Sequence, residues 1–158
     1  MAKINALIEK IANGKNPLFQ ELYGVNEVVL KEQADRYADL MNEFQKVYGT
    51  DDVSLFSSPG RTEIGGNHTD HNYGRVLAGA VNLDMVAVAA TNGTNVIRIK
   101  SAGYPEFQVD LSILEIDESQ FYTSSALVKG ICARMKQLGY EIGGFDACIE
   151  GRVPKGSG

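Results

Sequence analysis

Cysteine is scarce in this chain of 158 residues: only Cys132 and Cys148 occur, and the histidines also number two. The cysteines show no CxxC spacing and have no histidine beside them to complete a metal site. Each sits in an apolar stretch, 128–135 and 145–149, and reads as a small buried hydrophobe without chemistry of its own. No apolar run is long enough to span a bilayer, and the opening Met-Ala-Lys-Ile-Asn leads into charged residues instead of a signal-peptide core. A cytoplasmic protein is expected. Basic charge is also short: 15 Lys and Arg stand against 20 Asp and Glu, a formal net charge of −5. That balance speaks against nucleic acid or an anionic membrane as partner and favours a small, locally bound ligand. Internal repeats, low-complexity tracts and linkers rich in Pro, Gly or Ser are absent, so one domain over 1–158 is expected.

What is present has the balance of a globular protein with one sizeable core, 44% hydrophobic and 22% charged. Up to residue 49 the pattern is helical. Ile4, Leu7, Ile8 and Ile11 predict a short helix over 4–12, broken by Gly14 and Pro17. Leu30, Ala34, Tyr37, Met41, Phe44 and Tyr48 recur in steps of four and three, one apolar face of a longer helix with Asn26 as N-cap, Glu27 and Glu32 near its positive end and Gly49 as its stop. From residue 50 the pattern changes to short strands over 53–56, 85–91, 96–101 and 107–111. Thr91-Asn92-Gly93-Thr94 reads as a tight hairpin turn that pairs its flanking strands. Ser124 or Ser125 would cap a second long helix carrying Leu127, Ile131, Met135 and Leu138 on one face and ending at Gly139, before a last strand over 145–150. The expected fold class is α+β: a mixed, mostly antiparallel sheet with helices on one side, residues 1–49 forming a helical extension or cover on a 50–158 core.

The stretch 57–74 holds glycines, both histidines, Arg61 and Asp70, and is too polar for core. Asn67, His68 and Asp70 offer amide, imidazole and carboxylate groups at close spacing, while glycines let the backbone approach a ligand. Such a set can ring a polyhydroxylated molecule. A metal site from His68, Asp70 and His71 fits no standard ligand spacing and is not assigned, and a plain structural turn is the other competing reading.

Pro59, Gly60, Arg61, Gly66, His68, Thr69, Asp70, Asn72 and Gly74 resemble, without a gap, the galactokinase signature of the GHMP sugar-kinase superfamily, in which Pro-Gly-Arg is followed by Ile-Gly-Glu-His-Thr-Asp-Tyr. Roughly eighty residues on, Val153-Pro154 and Gly156-Ser157-Gly158 resemble the opening of that family's second motif, a glycine- and serine-rich loop running into a helix. The resemblance implies the N-terminal domain of GHMP kinases, a ribosomal protein S5 domain 2-like fold. It also implies ATP-dependent phosphorylation of the anomeric hydroxyl of galactose, with ATP and Mg2+ serving the complete enzyme.

Carried over residue by residue, Arg61 is the candidate catalytic cation near the reacting hydroxyl. Asp70, Asn67 and Arg61 itself are substrate-binding, His68 binds the sugar in the same way or holds the loop, and Gly156, Ser157 and Gly158 are part of an ATP-phosphate loop. The family's glutamate before the histidine is Asn67 here, and its tyrosine after the aspartate is His71. Asparagine keeps an acceptor oxygen but loses the charge, so a related sugar, such as an amino sugar or arabinose, is an alternative substrate. Glu63, four residues away, is not expected to replace that acid. The phosphate loop is expected to be cut short, with the family's catalytic aspartate and carboxy-terminal domain absent and the chain inactive alone. A non-catalytic sugar-binding or regulatory relative is the alternative reading.

Overall fold

The computed structural model describes residues 2–12, 16–66 and 69–154, Asp70 by its backbone alone. Strand β1 (Ala2–Lys3) opens into helix α1 (Ile4–Ala12), whose Ile4 and Ile11 are buried as the spacing predicts. Pro17 does more than break this helix. It begins another, α2 (Pro17–Tyr23), with the Asn16 side chain accepting from the Leu18 amide. Proline suits a first helical turn because its missing N–H would find no intrahelical partner there. Gly14, the other expected breaker, lies outside the described residues.

Helix α3 (Glu27–Tyr48) starts where Asn26 accepts from the Val28 and Val29 amides, and it ends at Gly49, whose φ of 74° is left-handed. Leu30, Ala34, Tyr37, Met41 and Phe44 are all buried. Each large apolar side chain among them contributes about 1.5–3 kcal/mol on leaving water.

The sheet adds β2 (Asp52–Gly65), β3 (Leu77–Thr91), β4 (Val96–Ser101), β5 (Phe107–Asp110) and β6 (Phe145–Gly151), in the order β1-β2-β3-β6-β4-β5. Among the described residues only β4 and β6 run parallel; the other neighbours are antiparallel, so the sheet is mixed and mostly antiparallel as expected. The strands β4 and β3 that flank Asn92-Gly93 do not pair with each other. Strand β6 lies between them, because the turn is opened by Gly144: its amide donates to Thr94 O at 2.8 Å, and the Asn92 amide donates to Gly144 O. A Cβ on Gly144 would lie 2.5–2.6 Å from Thr94 O, Asn92 Oδ1 and Val96 O, so only glycine admits β6 there.

Helices cover both faces, not one. Helices α1 to α3 pack on Val53, Val86, Val88, Ala90 and Cys148. The opposite face, reached by the next residue of β6, Ala147, packs with Ile97, Ile99, Val109 and Leu111 against Cys132 of helix α4 (Ser124–Gln137). The first three helices thus share a core with the sheet. Thr123, not Ser124 or Ser125, caps α4, accepting from the Ala126 amide at 3.2 Å. Gly139, with φ 85°, follows the helix as expected. The Leu127, Ile131, Met135 and Leu138 stripe is exposed, because Cys132 and Val128 face the core. Both cysteines are free and buried, and burial pushes the Cys148 thiol up to about 11. No described helix is long and apolar enough to cross a membrane.

Candidate functional site

The polar stretch 57–74 is not all loop. Residues 57–65 extend β2, pairing with β3 from Ser57↔Val86 to Gly65↔Leu77, and Gly66 with the described residues 69–76 lies at the tip of this long hairpin. Ladder pairing satisfies the backbone whatever the side chains, so polar residues continue a strand that projects past the core. Among the described residues β1 flanks β2 at Asp52 and Val53, so at Pro59 β2 is an edge strand, where proline is tolerated.

Glycines shape the tip. Gly66 has φ 86°, and a Cβ there would lie 2.1 Å from Arg75 O; on Gly74 it would lie 2.2 Å from Thr69 Cβ. Across the loop the Thr69 hydroxyl donates to Gly66 O and the Gly74 amide donates to Thr69 O, each at 2.8 Å. Asp70 opens a single 3-10 turn (Asp70–Asn72), followed by Tyr73 with φ 59°. Thr69 therefore links Gly66 to Gly74. Asn67 and His68 themselves lie outside the described residues, as do Gly156, Ser157 and Gly158.

Arg61 stands on β2 with its guanidinium exposed, donating to Glu63 Oε1 at 3.0 Å from the same strand face. Between Pro59↔Asp84 and Arg61↔Ala80 the register slips, so Gly60 faces an irregular stretch of β3. Such bulges re-aim the residues beside them. A Cβ on Gly60 would lie 3.0 Å from Val153 Cγ2 and 3.2 Å from Val81 Cγ2. The first motif and the segment leading into the second therefore meet at Gly60.

Sequence reasoning missed the groups beneath this meeting point. Asp84 is 5% exposed. Its Oδ1 accepts from Arg36 Nη1 at 2.6 Å, and its Oδ2 accepts from the Tyr23 hydroxyl at 2.6 Å and the Ser57 hydroxyl at 2.7 Å. Arg36, also buried, continues to the Glu150 carboxylate through Nε and to the Asp84 and Glu150 carbonyls through Nη2. Burial alone would raise the Asp84 carboxyl, but hydrogen bonds from Ser57, Tyr23 and Arg36 hold it below the usual range. Burial first, then the bond to Asp84, pushes the Tyr23 phenol up. The sequence carried one signal for this, an aspartate between Leu83 and Met85 in an apolar run. Among the described residues no group of three or more His, Cys, Asp or Glu side chains is disposed to hold a metal.

The family model of the galactokinase galactose-binding signature matches residues 42–91, the span containing Arg61, Gly66 and Gly74. The galactokinase of Clostridium tetani is 31% identical over 120 residues, 76% of this chain and 30% of the relative. That of Streptococcus suis is 34% identical over 123 residues, 75% of this chain and 31% of the relative. Among solved structures, that of Lactococcus lactis galactokinase complexed with galactose matches with a TM-score of 0.64 and 31% identity, over 73% of this chain and 30% of that one. The chain thus spans about a third of the length of the relatives it matches. Sequence and fold thus agree, over that span, in their likeness to galactokinases and to their galactose-binding signature.

Proposed function

We propose that this chain is the sugar-binding region, a single N-terminal domain over 1–158, of a cytoplasmic kinase that phosphorylates galactose at its anomeric hydroxyl with ATP. The observation that carries the reading is the match to the galactose-binding signature, which encloses Arg61, Asn67, His68 and Asp70. In the transfer, the anomeric oxygen bonds to the γ-phosphorus of ATP, ADP leaves and the hydroxyl proton is released. The transferring group spreads negative charge over its oxygens, so the protein's work is alignment and electrostatic stabilisation. Arg61 is the cation for that charge. Asp70, His68 and Asn67 hold the sugar hydroxyls, a carboxylate giving the strongest of these bonds.

The meeting of Gly60 with Val153 supports this assignment, because it sets the sugar segment beside the chain that leads to Gly156, Ser157 and Gly158, the proposed phosphate-binding residues. Magnesium would enter with the nucleotide, and no described residue is assigned to it. The test is a calorimetric titration of this chain with galactose and with glucose. Heat with galactose alone is the expected result; equal binding of both sugars, or of neither, overturns galactose as the ligand of this chain.

A further inference from the structure

We propose that Asp84, gripped by Arg36 and Tyr23 from the amino-terminal helices, is the positioning residue that fixes the Arg61 strand and the exit of β6 relative to each other. Asp84 touches both. Its side chain accepts from Ser57, four residues before Arg61 on β2, and its backbone is paired with Pro59 immediately before the bulge. Its carbonyl accepts from the Arg152 amide at 2.9 Å, one residue before the Val153 that abuts Gly60. Arg36 ties the same strands a second time, bonding the carbonyls of Asp84 on β3 and Glu150 on β6.

Stability alone is a poor reason for this arrangement. A buried ion pair is often no more stabilising than apolar groups of the same volume, whereas it admits one geometry and penalises others. The geometry it admits here is the register at which a regular β2–β3 ladder gives way to the bulge carrying Arg61. The same sheet holds an internal comparison. Asp146, 3% exposed, is bonded by Arg98 and by Asn92 in the 91–94 turn, at the start of β6 and away from the Arg61 bulge.

The experiment compares Tyr23→Phe and Ser57→Ala, which each remove one donor to Asp84 and leave the ion pair, with Asn92→Ala, which removes one donor to Asp146 together with the Asn92 bonds to Thr94 and Val96. Amide hydrogen exchange and galactose calorimetry are read on the full chain, together with melting temperature. Loss of one such bond is expected to speed exchange about tenfold in both 57–63 and 150–154 for the first two variants. It is also expected to weaken galactose about tenfold, while Asn92→Ala at a similar melting temperature does neither. Unchanged exchange in those segments, or an equal rise in all three variants, overturns the proposal. The calorimetric arm rests on the kinase reading above. If the unaltered chain binds no galactose, that reading fails and the exchange comparison alone decides this one.

Discussion

Gly60 and Val153 stand so close that a single added carbon on Gly60 would lie 3.0 Å from the valine Cγ2. Val81 Cγ2 at 3.2 Å and Leu83 O at 3.3 Å crowd the same point. Gly60→Ala is therefore expected to destabilise by about 1–3 kcal/mol, the usual range for overpacking. Val153→Ala in the same chain should recover part of the loss. A double-mutant cycle by urea unfolding measures the coupling, and strict additivity would mean that the two residues do not touch.

Gly143 and Gly144 are neighbours with opposite expectations. A Cβ on Gly144 meets three oxygens at 2.5–2.6 Å, whereas one on Gly143 meets nothing within 4 Å. Gly144→Ala should cost more than about 3 kcal/mol, because β6 must move from the turn, and Gly143→Ala should stay within about 0.5 kcal/mol. Equal unfolding midpoints for the two variants would contradict the wedge geometry.

The Asp84 cluster sets a pH window. The Asp84 carboxyl is held below its ordinary 3.8, so its stabilisation is present above about pH 4 and is lost as pH falls through the lowered value. The Tyr23 phenol is raised above its ordinary 10.0, so its contribution is complete below about pH 10 and is lost as pH rises beyond that. Urea unfolding from pH 3 to about 11 should give a plateau with two falling arms. In Tyr23→Phe the alkaline arm should be shallower, and an unaltered arm would remove Tyr23 from the account.

Leu127 and Ile131 on α4 are 68% and 54% exposed. Replacing them with glutamate and lysine should change unfolding free energy by about 0.5 kcal/mol or less, since little apolar burial is lost. An apolar stripe in water favours association, so sedimentation at high concentration should show less self-association for the double variant. Identical profiles for both proteins would show that this face does not associate.

Asp70→Asn keeps the shape of the side chain and removes its charge. If Asp70 holds sugar hydroxyls, galactose affinity should fall about tenfold to a hundredfold, the value of a charge-assisted bond, with little change in melting temperature. Unchanged affinity would take Asp70 out of the sugar site.

Much of this protein could be read from local pattern. Asn26, the apolar steps of three and four, and Gly49 delimit α3 because capping and helical periodicity act within a few residues. The signature residues from Pro59 to Gly74 were legible for a similar reason, being contiguous and closely spaced. The extension of β2 through Arg61 was not legible, since its polar side chains give no apolar alternation and its pairing is set by β3. The insertion of β6 beside the Asn92-Gly93 turn was hidden too, because that turn signal is local while the competing strand lies fifty residues away. Tertiary structure alone brought Tyr23, Arg36 and Ser57 around Asp84, and Glu150 onto Arg36. Each is an ordinary polar residue in its own segment, and only when helices and strands from distant parts of the chain exclude water together does a buried carboxylate select its partners.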